Sequence, residues 1–285
     1  MQYHTNQITM NARFIFLILF GFIAALLYII RYWRRKVGDS AFAAAMLADC
    51  AERRDRYCRM AVMAGHKDAC RMFCFAHSGF FEDRQPLKPF RFHGTSVVFY
   101  GHYYPSRYKK LLDDKQREFC RSLYAFKEGE NHGIAFFKAC MSALPTGTAS
   151  CHVMFMPCSN WIKYGQRFKR LDWYITTHRK ELTSGLYDVD VHSGRESLHE
   201  CKGSERILER NYNITGDIKG KRIIIVDDVF TSGQNLTDYK EEIERCGGEV
   251  VAAIFYGKTV TVPPLFLIKA HVWGGHIVRA ITHEP

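Results

Sequence analysis

The stretch RIIIVDDVFTSGQNL, Arg222 to Leu236, decides how this chain folds. Ile223 to Val226 is apolar at every position, the pattern of a central parallel strand covered on both faces, and Asp227 and Asp228 follow at its carboxyl end. Ligands of open α/β sheets bind at that end. Thr231, Ser232 and Gly233 make a small-residue turn, and Asn235 fits the cap of a helix running through Leu236, Tyr239 and Ile243 to Cys246-Gly247-Gly248. The first amides of such a helix point at an anion.

These residue types suit a phosphosugar. A phosphate monoester is held by main-chain N–H groups, with Gly233 allowing close approach and the Thr231 and Ser232 hydroxyls adding donors. Carboxylates repel phosphate, so Asp227 and Asp228 are expected to accept hydrogen bonds from sugar hydroxyls or to face a bound cation. Strand plus acids also describes a Walker B strand or a phosphoacceptor site. The only Walker A candidate, Gly257-Lys258-Thr259, has Ala252 in place of the first glycine and runs into Pro263-Pro264, which cannot open a helix.

Outward from this strand, Cys151 to Met156 and Glu249 to Tyr256 are expected to flank it in a parallel sheet, and Thr95 to Tyr100 and Leu186 to Val191 are further apolar strands. Tyr103 to Leu123, Gly133 to Leu144 and Arg167 to Leu182 carry apolar residues at helical spacing. The fold class is α/β. The tail after Pro263, with Leu265 to Ile268 and Ala270 to Trp273, is expected to add an edge strand or lid.

Ile223 to Asn235 resembles the phosphoribosyl pyrophosphate signature of type I phosphoribosyltransferases. The run from Arg206 to Asn211 through Lys219 to Arg222, and Tyr100-Gly101-His102-Tyr103, are similar to the ComF-like branch of that family. The likeness covers roughly Val97 to Thr259. It departs at Asn235, where the family usually has Thr or Ser, and in lacking any C-x-x-C pair.

The resemblance implies a phosphoribosyl transfer enzyme using Mg2+, with phosphoribosyl pyrophosphate as substrate and an unidentified nitrogenous acceptor. Asp227 and Asp228 would be catalytic. Thr231, Ser232, Gly233, Gln234 and Asn235 would form the 5-phosphate loop. Ser159 and Asn160, after the second strand, and Arg195 and Lys202, in the polar interval from His192 to Gly203, would meet the pyrophosphate. No direct protein ligation of the metal is expected. A non-catalytic sensor of the same ligand, acting through a partner protein, is the alternative, and a membrane scaffold with a vestigial domain is a third.

Phe14 to Ile30 is a run of seventeen residues without a charge, about 26 Å long as a helix against a bilayer core of roughly 30 Å. Tyr28, Tyr32 and Trp33 suit an interface, and the Arg31-to-Lys36 cluster after the run favours an uncleaved single-pass anchor in the inner or plasma membrane with a cytoplasmic body. A buried core helix is the competing reading. Residues 1–36 are therefore expected as anchor and basic flank, 37–79 as a helical spacer, 80–94 as a linker and 95–285 as the phosphoribosyltransferase-like domain. Within the spacer, Ala41 to Cys50 and Asp55 to Ala76 read as two short helices, and Arg59 to Ala69 resembles part of one Sel1-type helical repeat. A single unit cannot bury its own apolar face, so it is expected to pack on the catalytic domain, on a neighbouring subunit of a homo-oligomer or on a protein partner.

Apart from the Arg31-to-Lys36 cluster, the basic residues behind the net charge of +11 are scattered through helical stretches, so no specific nucleic acid is expected. The ten cysteines lie mostly in apolar surroundings and are expected as small buried hydrophobes rather than a disulfide framework. His66, Cys70, Cys74 and His77 fall near one helix face but span over about 16 Å, too far to share one metal.

Overall fold

A computed structural model describes residues 2–145, 150–192 and 211–282, the side chains of 2–15 and 275–282 excepted. The chain divides into two compact units, Met1–Phe81 with Val262–Pro285, and Glu82–Thr261.

The first unit begins with α1 (Gln2–Leu47), followed by α2 (Ala51–Ala64), α3 (Lys67–Ala76) and α4 (Ser78–Phe81). The expected anchor and the first spacer helix are one continuous helix, because nothing between Ile30 and Ala41 breaks it. Gly38 tolerates the helix and lets α2 come close: a Cβ there would lie 3.3 Å from that of Ala64. The segment Asp55 to Ala76, expected as a single helix, is broken instead at Gly65, whose φ of 88° caps α2. His66 then starts α3 by accepting from the Ala69 amide. Every residue from Phe16 to Val37 is exposed, and Phe16–Leu47 is long and apolar enough to cross a membrane.

In the second unit a hairpin of β1 (Phe90–Phe92) and β2 (Thr95–Tyr103) turns at His93 and Gly94, both with positive φ. The interval expected as a linker thus supplies a strand. It also supplies Glu82, which pairs with buried Lys258 and accepts from the Thr261 amide at 2.6 Å. After Pro105 a short 3-10 turn precedes α5 (Asp114–Lys127). This helix starts later than its apolar periodicity suggests, because Tyr103 still pairs in β2 and an Asp113/Gln116 capping box fixes the entry. Then come α6 (Ile134–Ala143), β3 (His152–Phe155), α7 (Trp161–His178), β4 (Thr183–Ser184), β5 (Val189–Val191), β6 (Tyr212–Ile214), β7 (Arg222–Phe230), α8 (Gln234–Arg245) and β8 (Glu249–Thr259).

The main sheet has the order β1-β2-β8-β7-β3-β4 and is parallel except for β1. β5 and β6 form a separate antiparallel pair. Ile223 to Val226 are fully buried in the middle of the sheet, each such side chain contributing roughly 1.5–3 kcal/mol. A chain of rings, Phe155, Phe168, Phe126, Tyr256 and Phe136, packs α5, α6 and α7 onto the sheet. A second cluster, Phe230, Phe255, Phe99, Phe90 and Phe92, ties the hairpin to β7 and β8.

After Pro263 the chain forms a helix, α9 (Leu265–Thr282), where an edge strand or lid is expected from its apolar residues. Leu265, Ile268 and Val272 recur at helical spacing, and α9 packs on α2 and α3 of the first unit. Most of the described cysteines are buried, and all nine are thiols.

Candidate active site at the crossover of the sheet

Chain order runs outward from β3 to β4 on one side of the sheet and from β7 to β8 on the other. The reversal lies between β3 and β7, where a crevice opens beyond the strand ends in folds of this kind. Phe155, the last residue of β3, pairs with Val226, while β7 continues beside β8 to Phe230. Asp227 and Asp228 are thus still within β7 on its β8 side but past the last paired residue of β3. This differs from a strand that stops before the acids, since β8 extends the ladder.

Both acids are buried. The Asp227 carboxylate accepts the Asp228 amide at 2.7 Å, and burial together with the neighbouring Asp228 charge pushes its pKa up to about 8. Asp228 is engaged by cations through one of its carboxylate oxygens. Its Oδ2 pairs with Arg167 Nη1 at 2.7 Å and with Lys127 Nζ at 3.4 Å. Arg167 also donates from Nε to the Lys127 carbonyl at 3.3 Å, so the end of α5, the middle of α7 and the end of β7 meet on one carboxylate. Two adjacent acids in a dry crevice repel one another, and the two cations offset that repulsion.

The turn after β3 belongs to the same cluster. Buried Cys158 lies near enough to Arg167, Asp227, Asp228 and Lys127 for their charges to bear on its thiol, which burial pushes up to about 12. The next residue, Ser159, is half-buried, and Asn160 caps α7 by accepting the Lys163 amide at 2.9 Å. The carboxamide oxygen of Asn160 is therefore occupied by the helix start. Asn211 donates to the Cys158 carbonyl at 2.9 Å, and its own buried Oδ1 has no hydrogen-bond partner among the described residues.

Beyond β7, Thr231 and Ser232 are exposed and Gly233 is the N-cap of α8, with φ 88° and ψ 0°. Asn235, expected as the cap, lies inside the first turn two positions past it, because glycine takes this left-handed geometry without strain. Gln234 turns along the helix to Asp238 at 2.6 Å, away from the turn. The α8 amides at the start of the helix have no intrahelical acceptor, as at any helix N-terminus. Phe92 of β1 covers the turn so tightly that a Cβ on Gly233 would sit 2.2 Å from its Cζ.

Arg195 and Lys202, expected near a pyrophosphate, lie outside the described residues. The residues not expected at the site are Lys127, Arg167 and Phe92. A signal for the two cations exists: Arg167 falls on the stripe of Tyr164, Phe168 and Leu171, and Lys127 on that of Cys120 and Leu123, where a charge is out of place. Phe92 has no comparable signal, since its partner is a glycine far along the chain.

Residues 180–265 match the phosphoribosyl transferase domain. The chain is similar to an orotate phosphoribosyltransferase of Methanopyrus kandleri, 46% identical over 114 aligned residues that cover 30% of this chain and 62% of the relative. It is also similar to an orotate phosphoribosyltransferase of Sulfolobus acidocaldarius, 40% identical over 52 residues, 18% of this chain and 23% of the relative. The chain therefore spans less than two thirds of either relative. A mixed α/β fold with a mostly parallel sheet, the matched domain and these relatives together support the phosphoribosyltransferase family.

Proposed function

We propose that this chain is a membrane-anchored phosphoribosyltransferase that binds phosphoribosyl pyrophosphate with Mg2+ and transfers the phosphoribosyl group to or from a nitrogenous acceptor. The observation that carries it is the position of Asp227, Asp228 and the Thr231-to-Gly233 turn within the matched segment, at the reversal of the strand order. The 5-phosphate sits on the first amides of α8 with the exposed Thr231 and Ser232 hydroxyls beside it. Asp227 and Asp228 serve the ribose hydroxyls, and Ser159 lies on the diphosphate side.

Arg167 and Lys127 change partners in this reading. A diphosphate entering the crevice attracts both cations more strongly than one carboxylate does, which frees Asp228 for the sugar. Positive charge that builds on the ribose ring as its bond to the leaving group breaks then faces the acids. Asp227 and Asp228 offer the hard oxygen donors that suit Mg2+ carried in by the diphosphate. When bound, Mg2+ neutralises charge on the leaving diphosphate.

Titration calorimetry with phosphoribosyl pyrophosphate and Mg2+, followed by a pyrophosphate-release assay, tests this. Orotate is the first acceptor to offer because it names the activity of both relatives. Binding and release are expected, and no binding at all would refute the proposal. The engagement of Asp228 by two cations favours one second reading, a sensor that binds the ligand but releases no pyrophosphate with any acceptor.

A further inference from the structure

Within the first unit, α1, α3 and α9 surround a cavity of about 950 Å3 that is lined by Arg31, Arg34, Arg35, Lys67 and Lys269. Five cations face two acids. Asp68 is taken by Arg71 at 2.6 Å, and Asp39 lies 3.7 Å from His66 Nε2. Arg34 gives one N–H to the Met63 carbonyl at 3.3 Å, and the other four cations have no acidic side chain within 4.0 Å among the described residues. A helix C-terminus attracts cations, and that of α2 is here, but it carries only about half a charge. Most of the positive charge is left for a ligand.

The same cavity is lined by Leu27, Ile30 and Leu265, and Leu27 and Ile30 belong to the apolar run of α1. Its charged part begins where that run ends. Arg31 to Arg35 lie within roughly 8 Å of Ile30 along the helix axis, about the thickness of the headgroup layer on one side of a bilayer. Tyr28, Tyr32 and Trp33 are exposed at the same level, with Lys36 over the Tyr32 ring. A ligand that fits must therefore join an anion to an apolar chain, and a cavity of this volume accepts a molecule of that size.

We propose that this cavity binds the headgroup of an anionic phospholipid, its phosphate meeting Arg31, Arg35 and Lys269 and its acyl chains following Leu27 and Ile30. The inference rests on the membrane-anchor part of the proposed function. The full chain, reconstituted into vesicles of phosphatidylcholine alone or with a minority of phosphatidylglycerol, tests both. Flotation with resistance to alkaline extraction reads the anchor, and native mass spectrometry of the released protein reads retained lipid.

The protein is expected to float in both vesicles and to retain phosphatidylglycerol preferentially. Each cation near an anionic surface is worth about 1 kcal/mol, or roughly five-fold, so Arg35→Ala with Lys269→Ala should lower the preference by about twenty-five-fold. Flotation with no preference for phosphatidylglycerol would overturn the site while leaving the anchor standing. Failure to float would overturn both. Displacement of the retained lipid by inorganic phosphate would reassign the cavity to a free anion. The wild-type comparison decides the matter even if the double variant does not fold.

Discussion

Gly233→Ala is the sharpest test of how the candidate phosphate turn is built. Gly233 adopts φ 88°, and a left-handed conformation costs a residue with a Cβ about 1–2 kcal/mol. The new methyl would also lie 2.2 Å from Phe92 Cζ, and ordinary carbon contact begins near 3.5 Å. The ring must therefore retreat by roughly 1.3 Å. It is held against Phe230 at a centroid distance of 5.2 Å and against His93 at 4.4 Å, so the retreat disturbs the hairpin as well as the turn. Overpacking of this kind costs about 1–3 kcal/mol, for a total of about 2–5 kcal/mol. Urea unfolding of the wild type, Gly233→Ala, Phe92→Ala and the double variant separates the two contributions. Removing the ring should leave only the backbone cost, giving a coupling of about 1–3 kcal/mol between the sites. A Gly233→Ala loss within about 0.5 kcal/mol of zero, or one that Phe92→Ala does not lessen, would refute the geometry on which the anion cradle depends.

Arg167→Met should destabilise by about 2–4 kcal/mol, somewhat less than a fully buried pair because Lys127 stays beside Asp228 and both partners keep some exposure. Arg167→Lys should recover only part of this, since it cannot keep the Nε bond to the Lys127 carbonyl, and equal urea midpoints for the two variants would contradict the cluster. Asp227→Asn should gain stability over the wild type as pH rises. The folded carboxyl, pushed up to about 8 from an ordinary 3.8, contributes stability that is present below the unfolded value and lost as pH climbs to about 8. The difference in melting temperature should widen over that window and then level off, and a flat difference would show that Asp227 is ionised throughout. Thr231→Ala and Ser232→Ala, at exposed positions, should leave stability within about 0.5 kcal/mol. Each should weaken phosphoribosyl pyrophosphate binding by at least about ten-fold if its hydroxyl donates to a charged phosphate, and calorimetry that finds no change would remove that donor.

The central strand was legible because its burial is two-sided: a strand covered on both faces carries consecutive apolar residues where a half-exposed one alternates, and β-branched Ile and Val fill this one. Its neighbours β3 and β8 were legible for the same reason. Helix entries were less so, because they depend on single side chains: Asp113 delays α5, Asn160 advances α7, and Gly233 displaces Asn235 from the cap of α8. The continuity of α1 was hidden by the change from apolar to basic composition at Arg31, which alters what surrounds a helix without ending it.

The partners of Asp228 could not be read from the signature itself, since Arg167 and Lys127 lie far from it along the chain and meet it only through packing. Yet each stands on the buried stripe of its helix, where burying a charge costs several kcal/mol unless something answers it. Asp228 answers both, and in doing so permits a second acid, Asp227, to occupy the neighbouring position. Apolar residues would fill that crevice with no such opposition of charges, so stability alone does not account for two acids and two cations at the reversal of a parallel sheet. The proposed ligand, with sugar hydroxyls at one end and a diphosphate at the other, would account for all four: its hydroxyls need acceptors, its diphosphate needs cations, and without it each set offsets the other.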